Sequence, residues 1–526
     1  MSKKIRIIFL SILLLTFISI FDCVEAKKPS KNTSTVTECV LLTGKTINEY
    51  IMNLAGTETA QILSGDIVTQ NSTVKAIKRA SAKSTTARKI VNISESTTKP
   101  VYMWYDGTTG TIYWYSETAN PIMNSNSRNL FANLVALEDI RSVADWDASR
   151  ITSTMHMFKR CFHLTDLTGV HTWKTTSLVD MCQTFFRYYE DDDPNYKMTN
   201  LDALANWDVS HVTNMYGVFY GLQYITSLEA LTNWDTSNVT ELRTAFMHLH
   251  NLETLKGLEN WNTSKVKNMY NTFSHLRIVT DISAVTNWDV SNVEDFGGTW
   301  RACRRLQDIT PLANWDTSNA QIMGGDNYWG GTFSNDDNIV DFSPLSNWNV
   351  SNVTDMRCMF EGCTKMELID HVANWNVSNV AKFDRMFIGC GLIKDASVIN
   401  NWNIRSGMSF VNMFTNRVEI YPEWPDGTWE AGTFLRTVFP DINDETNDNQ
   451  SQTIVQTTSS RYTFDLNAKA IFDQNGNKVT TDNNLYLTVL TQKKIDKAVN
   501  LLNMAEVKII STNSKSKTIV VEGIKL

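Results

Sequence analysis

Between residues 130 and 420 the apolar residues fall three to five apart and never gather into long runs. That spacing fits neither a helix with one apolar stripe nor a strand alternating every second residue. It suits a backbone that turns a side chain inward every few residues. A tryptophan anchors the pattern at Trp146, Trp173, Trp207, Trp234, Trp261, Trp288, Trp315, Trp348, Trp375 and Trp402, and seven of the nine intervals are 27 residues, the others 34 and 33. Val follows five residues later in six copies, as at Val212, Val239 and Val353. Met, Leu or Phe follows at eight (Met215, Leu242, Phe296), and an aromatic at twelve (Phe219, Phe246, Trp300, Phe387). A unit this short cannot bury its apolar face alone, so neighbours must stack and share a core.

The Trp positions, in particular Trp207, Trp234, Trp261, Trp288, Trp315, Trp348, Trp375 and Trp402, are expected to stack as a structural ladder. Each indole N–H is expected to bond a backbone carbonyl of the adjacent turn. A sugar-stacking platform is the alternative. Asn precedes Trp in eight copies and Asp or Asn follows it in nine. The "DxSN" pattern is turn chemistry, in which these side chains bond nearby backbone N–H groups. A row of calcium ligands is the alternative for them.

"NWNVSNVTDMRCMFEGC", from Asn347, closely resembles the repeat of BspA-like leucine-rich-repeat surface proteins, found also in mycoplasma lipoproteins and lactobacillus surface proteins. "VYMWYDGTTGTIYWYSETA", from Val101, resembles the aromatic segment before the repeats in that family. The resemblance spans about residues 100–434. It implies an α/β chain: a leucine-rich-repeat-like solenoid of about ten 27-residue repeats, on a secreted or surface-exposed bacterial protein that serves in interaction or adhesion.

The flanks divide as follows. Residues 1–26 carry Lys3, Lys4 and Arg6, an apolar run from Ile7 to Phe21, and Val24 and Ala26, and read as a secretory signal cleaved after Ala26. Residues 27–99 hold eleven Lys and Arg against five Asp and Glu, and read as a basic, Ser/Thr-rich, partly ordered spacer, or else as a segment held near anionic wall polymers. Helix-like patches lie at "INEYIMNLAG" (47–56) and "STVKAIKRASAK" (72–83). Residues 100–125 predict an aromatic hairpin cap around "DGTTG", 126–420 the solenoid, 421–440 a C-terminal cap and 441–454 a polar linker. Residues 455–526 predict a small α+β domain with strands at 461–466 and 485–491, a helix at 492–506, and a closing hairpin of 507–512 with 518–526. No wall-sorting motif and no second apolar span is expected, so the mature chain carries no transmembrane segment.

Charge and chemistry narrow the function. The net charge of −8 disfavours a nucleic-acid partner. Seven Cys outside the signal are an odd number without disulfide spacing, and read as small buried residues. "DQNGN" at 473–477 reads as a hairpin turn. No zinc, nucleophile-elbow or phosphate-loop motif is present, so neither enzyme nor cofactor is expected. "HLH" at 248–250 is expected to face solvent. The acceptor motifs at Asn238, Asn349, Asn352 and Asn376 would place crowded sugars on stacked turns, which favours a bacterial host.

Two units break the period, by seven residues in "RYYEDDDPNY" and by six in "GGDNYWGGT". Insertions map to loops and often to the binding face. Tyr188, Tyr189, Tyr196, Asp326, Tyr328 and Trp329 are therefore the candidate partner contacts. The partner is expected to be a protein on a host or neighbouring cell, and the site of action secreted or cell-surface. A glycan partner, and a hydrolase in the C-terminal domain, are the alternatives.

Overall fold

A computed structural model describes residues 38–61, 67–117, 120–188, 197–325, 330–405, 407–414, 459–465, 470–472, 504–513 and 518–525. The chain divides into two compact units, residues 1–439 and 440–526. It is a mixed α/β repeat protein with little helix: the described residues hold one α-helix, nine short 3-10 helices and three small sheets.

Helix α1 (Gly44–Ala55) begins where Thr43 Oγ1 accepts from Thr46 N at 3.3 Å and ends at Gly56, whose φ of 90° suits glycine. It buries Ile47, Ile51 and Met52, and Asn48 Nδ2 donates to the carbonyls of Leu130 (3.3 Å) and Ala132 (3.1 Å). Strands β1 (Glu58–Gln61) and β2 (Ile67–Gln70) form an antiparallel pair. Strands β3 (Ala76–Arg79), β4 (Val91–Asn92), β5 (Val101–Asp106) and β6 (Thr111–Ser116) form a second sheet in the order β3-β6-β5-β4. β5 and β6 make the aromatic hairpin, whose turn is held by Asp106 Oδ1 accepting from Thr108 N at 3.0 Å. Trp114 on β6 meets Trp146 edge-on at 5.8 Å and donates to Ser142 Oγ at 3.0 Å.

Two expectations fail here. The described part of the Ser/Thr-rich segment is folded: Cys39, Leu41, Ile47, Ile51, Val74, Ile77 and Ile93 are buried in the core they share with the hairpin. Single apolar residues scattered among Ser and Thr give no local period, yet each finds a core position once the hairpin is present. Within 72–83 there is a strand and no helix. Asn71 Oδ1 accepts from Thr73 N (2.9 Å) and Val74 N (2.7 Å), closing a local turn, and Ile77 N then donates to Asp139 O at 2.8 Å. Pairing with the first repeat overrides helix propensity.

Through the repeats, parallel single-residue bridges link each copy to the next: Asn126↔Ser153↔Asp180↔Asn214↔Glu241↔Asn268↔Asp295↔Ile322↔Asp355↔Lys382↔Ser409. Most steps are 27 residues. The first step lies upstream of Trp146. There Phe131 stacks on Phe158 at 5.5 Å and accepts the Cys161 thiol at 3.1 Å, so the pattern starts one partial unit earlier, without a Trp of its own. Short 3-10 turns such as Glu229–Leu231 lead into each Trp.

In the second unit β7 (Ser459–Asp465), β8 (Ala470–Phe472), β9 (Met504–Asn513) and β10 (Thr518–Lys525) form an antiparallel sheet in the order β8-β7-β10-β9. The expected helix over 492–506 is corrected at its end: Met504, Ala505 and Glu506 belong to β9, with Ala505 opposite Ile524. Cross-strand pairing with β10 again overrides local propensity. Residues 473–477, 485–491 and 492–503 lie outside the described residues, as do 1–37 and 415–458.

Candidate interaction surface

The repeats commit most of their side chains. All ten indoles are 2–5 % exposed. Trp234, Trp261 and Trp288 stack at 6.3 and 6.2 Å, and Trp173 on Trp207 at 6.1 Å. Nine donate Nε1–H to a carbonyl of the preceding repeat, as Trp234 to Leu204 (3.0 Å), Trp288 to Leu258 (3.0 Å) and Trp402 to Val372 (2.9 Å). Trp146 Nε1, with no full unit before it, has no partner. Behind the indoles runs a second column, Phe219–Phe246–Phe273, spaced 5.8 and 5.6 Å. The thiols of Cys161, Cys303, Cys363 and Cys390 donate to the carbonyls of Phe131, Phe273, Phe333 and Phe360. The seven described cysteines are buried and unpaired. Burial pushes the Cys161 thiol up to about 12.

The Asp and Asn residues after Trp close turns. Asp208, Asp235, Asp289 and Asp316 each accept from the N–H two residues on, at about 3.0 Å. Asn238, Asn292, Asn319, Asn352 and Asn379 donate Nδ2–H to a Ser carbonyl of the preceding repeat at 2.6–2.8 Å. The amide nitrogens of Asn238 and Asn352, where a sugar would attach, are thus spent on the fold.

What remains lies where the period breaks. The residues flanking the second break touch: a Cβ on Gly325 would sit 1.7 Å from Gly330 O. Pairing with the next repeat runs across the gap, from Gly325 N to Arg357 O (2.9 Å) to Gly331 N to Cys358 O (3.1 Å) and Phe333 N to Met359 O (2.9 Å). Only glycines permit so close a neck. Asp326, Tyr328 and Trp329 lie outside the described residues, as do Tyr189 and Tyr196 in the first break. Tyr188 is described and half-buried, edge-on to Phe186 at 5.0 Å and beneath the Arg160 guanidinium at 5.8 Å.

A line of rings joins the two breaks, and sequence reasoning missed it. From Tyr188 and Phe186 it passes to Tyr220 (stacked on Phe186, 4.4 Å), His248 (5.3 Å from Tyr220) and His275 (4.4 Å from His248). His275 N donates to Arg301 O at 2.7 Å, and Arg301 Nε lies 3.0 Å from where a Cβ on Gly330 would stand. The expectation that His248 and His250 face solvent is corrected: both are buried, their ring nitrogens 3.1 Å apart, with His250 Nδ1 3.1 Å from Gln223 Oε1. Leu249 between them is a core residue, and His248 has a φ of 66°, so both rings turn under the line. Aligning Leu249 with Leu222, Leu276 and Cys303 in the repeat is the signal that would have revealed it. Burial, with the arginine charges nearby, pushes His248, His250 and His275 down to about 2, 4 and 3. Asp336, which takes a Cys position in its column, is fully buried; Oδ1 accepts from Cys303 N at 2.7 Å, and burial holds its carboxyl well above the usual range.

Among the described residues no group of three or more His, Cys, Asp or Glu is placed to hold a metal ion. No helix among them is long and apolar enough to cross a membrane. The arrangement offers contact area, hydrogen bonds and charge along a line.

The family described as "Mycoplasma protein of unknown function, DUF285" matches residues 125–226, 188–283, 223–336 and 329–431, together more than half of the chain. No curated protein and no solved structure matches.

Proposed function

Given that the chain belongs to the DUF285 family of mycoplasma repeat proteins, we propose that it is a secreted or surface-exposed binding protein whose repeats wind as a leucine-rich-repeat-like solenoid. Its bridges at a constant interval, and its carbonyls shared between successive repeats, support that architecture. The sheet of β3 to β6 caps the first coil in this reading, since Trp114 covers the Trp146 ring. The function is adhesion or interaction with a protein on another cell.

The observation that carries the reading is the line of rings from Tyr188 to Arg301, with a period break at each end. Trp, Val, Met and Phe are committed to the core and Asp, Ser and Asn to the turns. The breaks are free to carry specificity, and aromatic residues there are the usual anchors of an interface.

The test is removal of residues 325–330. The cut joins Gly324 to Gly331 and turns "MGGDNYWGGTF" into "MGGTF", matching "FGGTW" at 296–300 in the preceding repeat. The fold is expected to survive, with an unchanged thermal melt. Binding to immobilised host extracellular-matrix proteins is expected to weaken by about 2 kcal/mol or more. Unfolding, or binding equal to that of the full chain, would show the insertion to be structural or idle.

A further inference from the structure

Four arginines stand close together in a chain of net charge −8: Arg277, Arg301, Arg304 and Arg305. The repeat register assembles them. His248 N donates to Ser274 O (3.0 Å) and His275 N to Arg301 O (2.7 Å), which sets residues 248, 275 and 302 in one row across three repeats. Two residues further along, His250, Arg277 and Arg304 share the next row. Arg277, Arg304 and Arg305 are exposed and Arg301 is half-buried.

Few charges oppose them. Arg304 Nε is 3.9 Å from Asp337 Oδ2, a loose pair. Asp281, Asp308 and Asp341 form the next acidic line, four residues further along each repeat, and each accepts from a backbone N–H at 2.8 Å. Glu253 is exposed beside that line. Burial keeps Asp336 and the three imidazoles uncharged at neutral pH. The strip therefore carries guanidinium charge alone.

We propose that Arg277, Arg304 and Arg305, backed by Arg301, form a docking strip for an acidic polysaccharide whose sulfate or uronate groups face the guanidinium forks. Arginine forks match planar or tetrahedral anions with two hydrogen bonds each. Adjacent repeats place them about 4.8 Å apart along one line. A stiff glycan with charges on successive sugars loses little conformational freedom on such a line. An acidic peptide must first be ordered. A nucleic acid needs a broad basic face, which the bordering carboxylate line denies.

The test uses the full chain with a heparin decasaccharide, an oligogalacturonate, and a polyglutamate of matched charge, each at about 50 and about 200 mM salt. At least one glycan is expected to bind, more weakly at the higher salt. Sulfate and uronate are distinguished by which glycan binds tighter. Arg277→Ala, Arg304→Ala and Arg305→Ala together are expected to weaken binding at least about tenfold and to flatten the salt dependence. Replacing the same three by Lys is expected to keep the salt dependence while losing affinity, because the fork is gone. Lys45→Ala, Lys89→Ala and Lys174→Ala, which remove equal charge elsewhere, are expected to change nothing. The proposal is overturned if neither glycan binds, if polyglutamate binds as tightly as the better glycan, or if the two triple-alanine variants lose affinity equally. Deleting residues 325–330 is expected to leave glycan binding intact, so failure there and failure of the protein-binding reading are told apart.

Discussion

Replacing Trp261 in mid-array tests what the indole column contributes. Its ring is 4 % exposed and lies 6.3 Å from Trp234, 6.2 Å from Trp288 and 5.5 Å from Phe246. Trp261→Ala removes a fully packed ring, a change that costs about 3–5 kcal/mol. The indole N–H bond to Leu231 O, at 3.2 Å, adds about 1 kcal/mol. It adds no more, because that carbonyl still accepts from Trp234 N at 3.1 Å and is not orphaned. The expected total is about 4–6 kcal/mol. Trp261→Phe retains a ring and loses the bond, for about 1–2 kcal/mol. Trp146→Phe makes the same change where the indole N–H has no partner, and should cost less. Urea denaturation followed by far-ultraviolet circular dichroism measures all three. Hydrogen exchange over residues 228–300 guards against piecemeal unfolding of a repeat array. A loss below about 2 kcal/mol for Trp261→Ala, or equal losses for the two Phe variants, would refute the account.

Two further outcomes follow from burial and backbone geometry. His156, His248, His275 and His371 are held near 3, 2, 3 and 3 by burial, below the ordinary 6.5. The unfolded chain takes up those protons first, so the fold loses stability as pH falls from 6.5 toward about 3. Burial raises Glu241 to about 7 and Asp295 to about 6, which works the opposite way: their contribution is full below about 4.5 and fades as pH rises to 7. Glu241→Gln should therefore raise the urea midpoint at pH 8, and wild-type stability should fall steeply below about pH 4.5. Equal midpoints at pH 4 and pH 7 would contradict the burial of the imidazoles. Gly298→Ala places a Cβ 2.3 Å from Asn271 Oδ1 at a φ of +65°, and should cost more than 2 kcal/mol. Gly107→Ala, whose nearest neighbour is 3.4 Å away, serves as the control, and a melt for Gly298→Ala that matches it would count against the register.

The periodic features were legible because the same residue recurs at one spacing. The indole-to-carbonyl bonds and the Asp turns are both readable from a single unit. Features arising from one-off pairings were not. Ile77 carries no periodic signal, yet its N–H pairs with Asp139 O, 62 residues away in sequence. The ring line was hidden for another reason: Phe186, Tyr220, His248 and His275 are four different residue types, each at a variable place in its own repeat. Their adjacency follows only from the register. The neck at Gly325 and Gly330 lay between these cases, since the excess length was plain and the contact was not.

The recurring indole-to-carbonyl bond also bears on how the gene can change. Trp234 donates to Leu204 O and Trp261 to Leu231 O, so donor and acceptor are displaced by the same unit. Excising residues 234–260 would present Trp261 to the carbonyl that Trp234 leaves behind, and a duplicated unit would find its acceptor equally ready. Recombination between tandem copies, in whole units, should thus yield longer or shorter proteins that still fold. Only the partial unit before Trp146 and the two irregular copies break that equivalence. Lineages can therefore differ in array length while those three places remain the fixed landmarks of the chain.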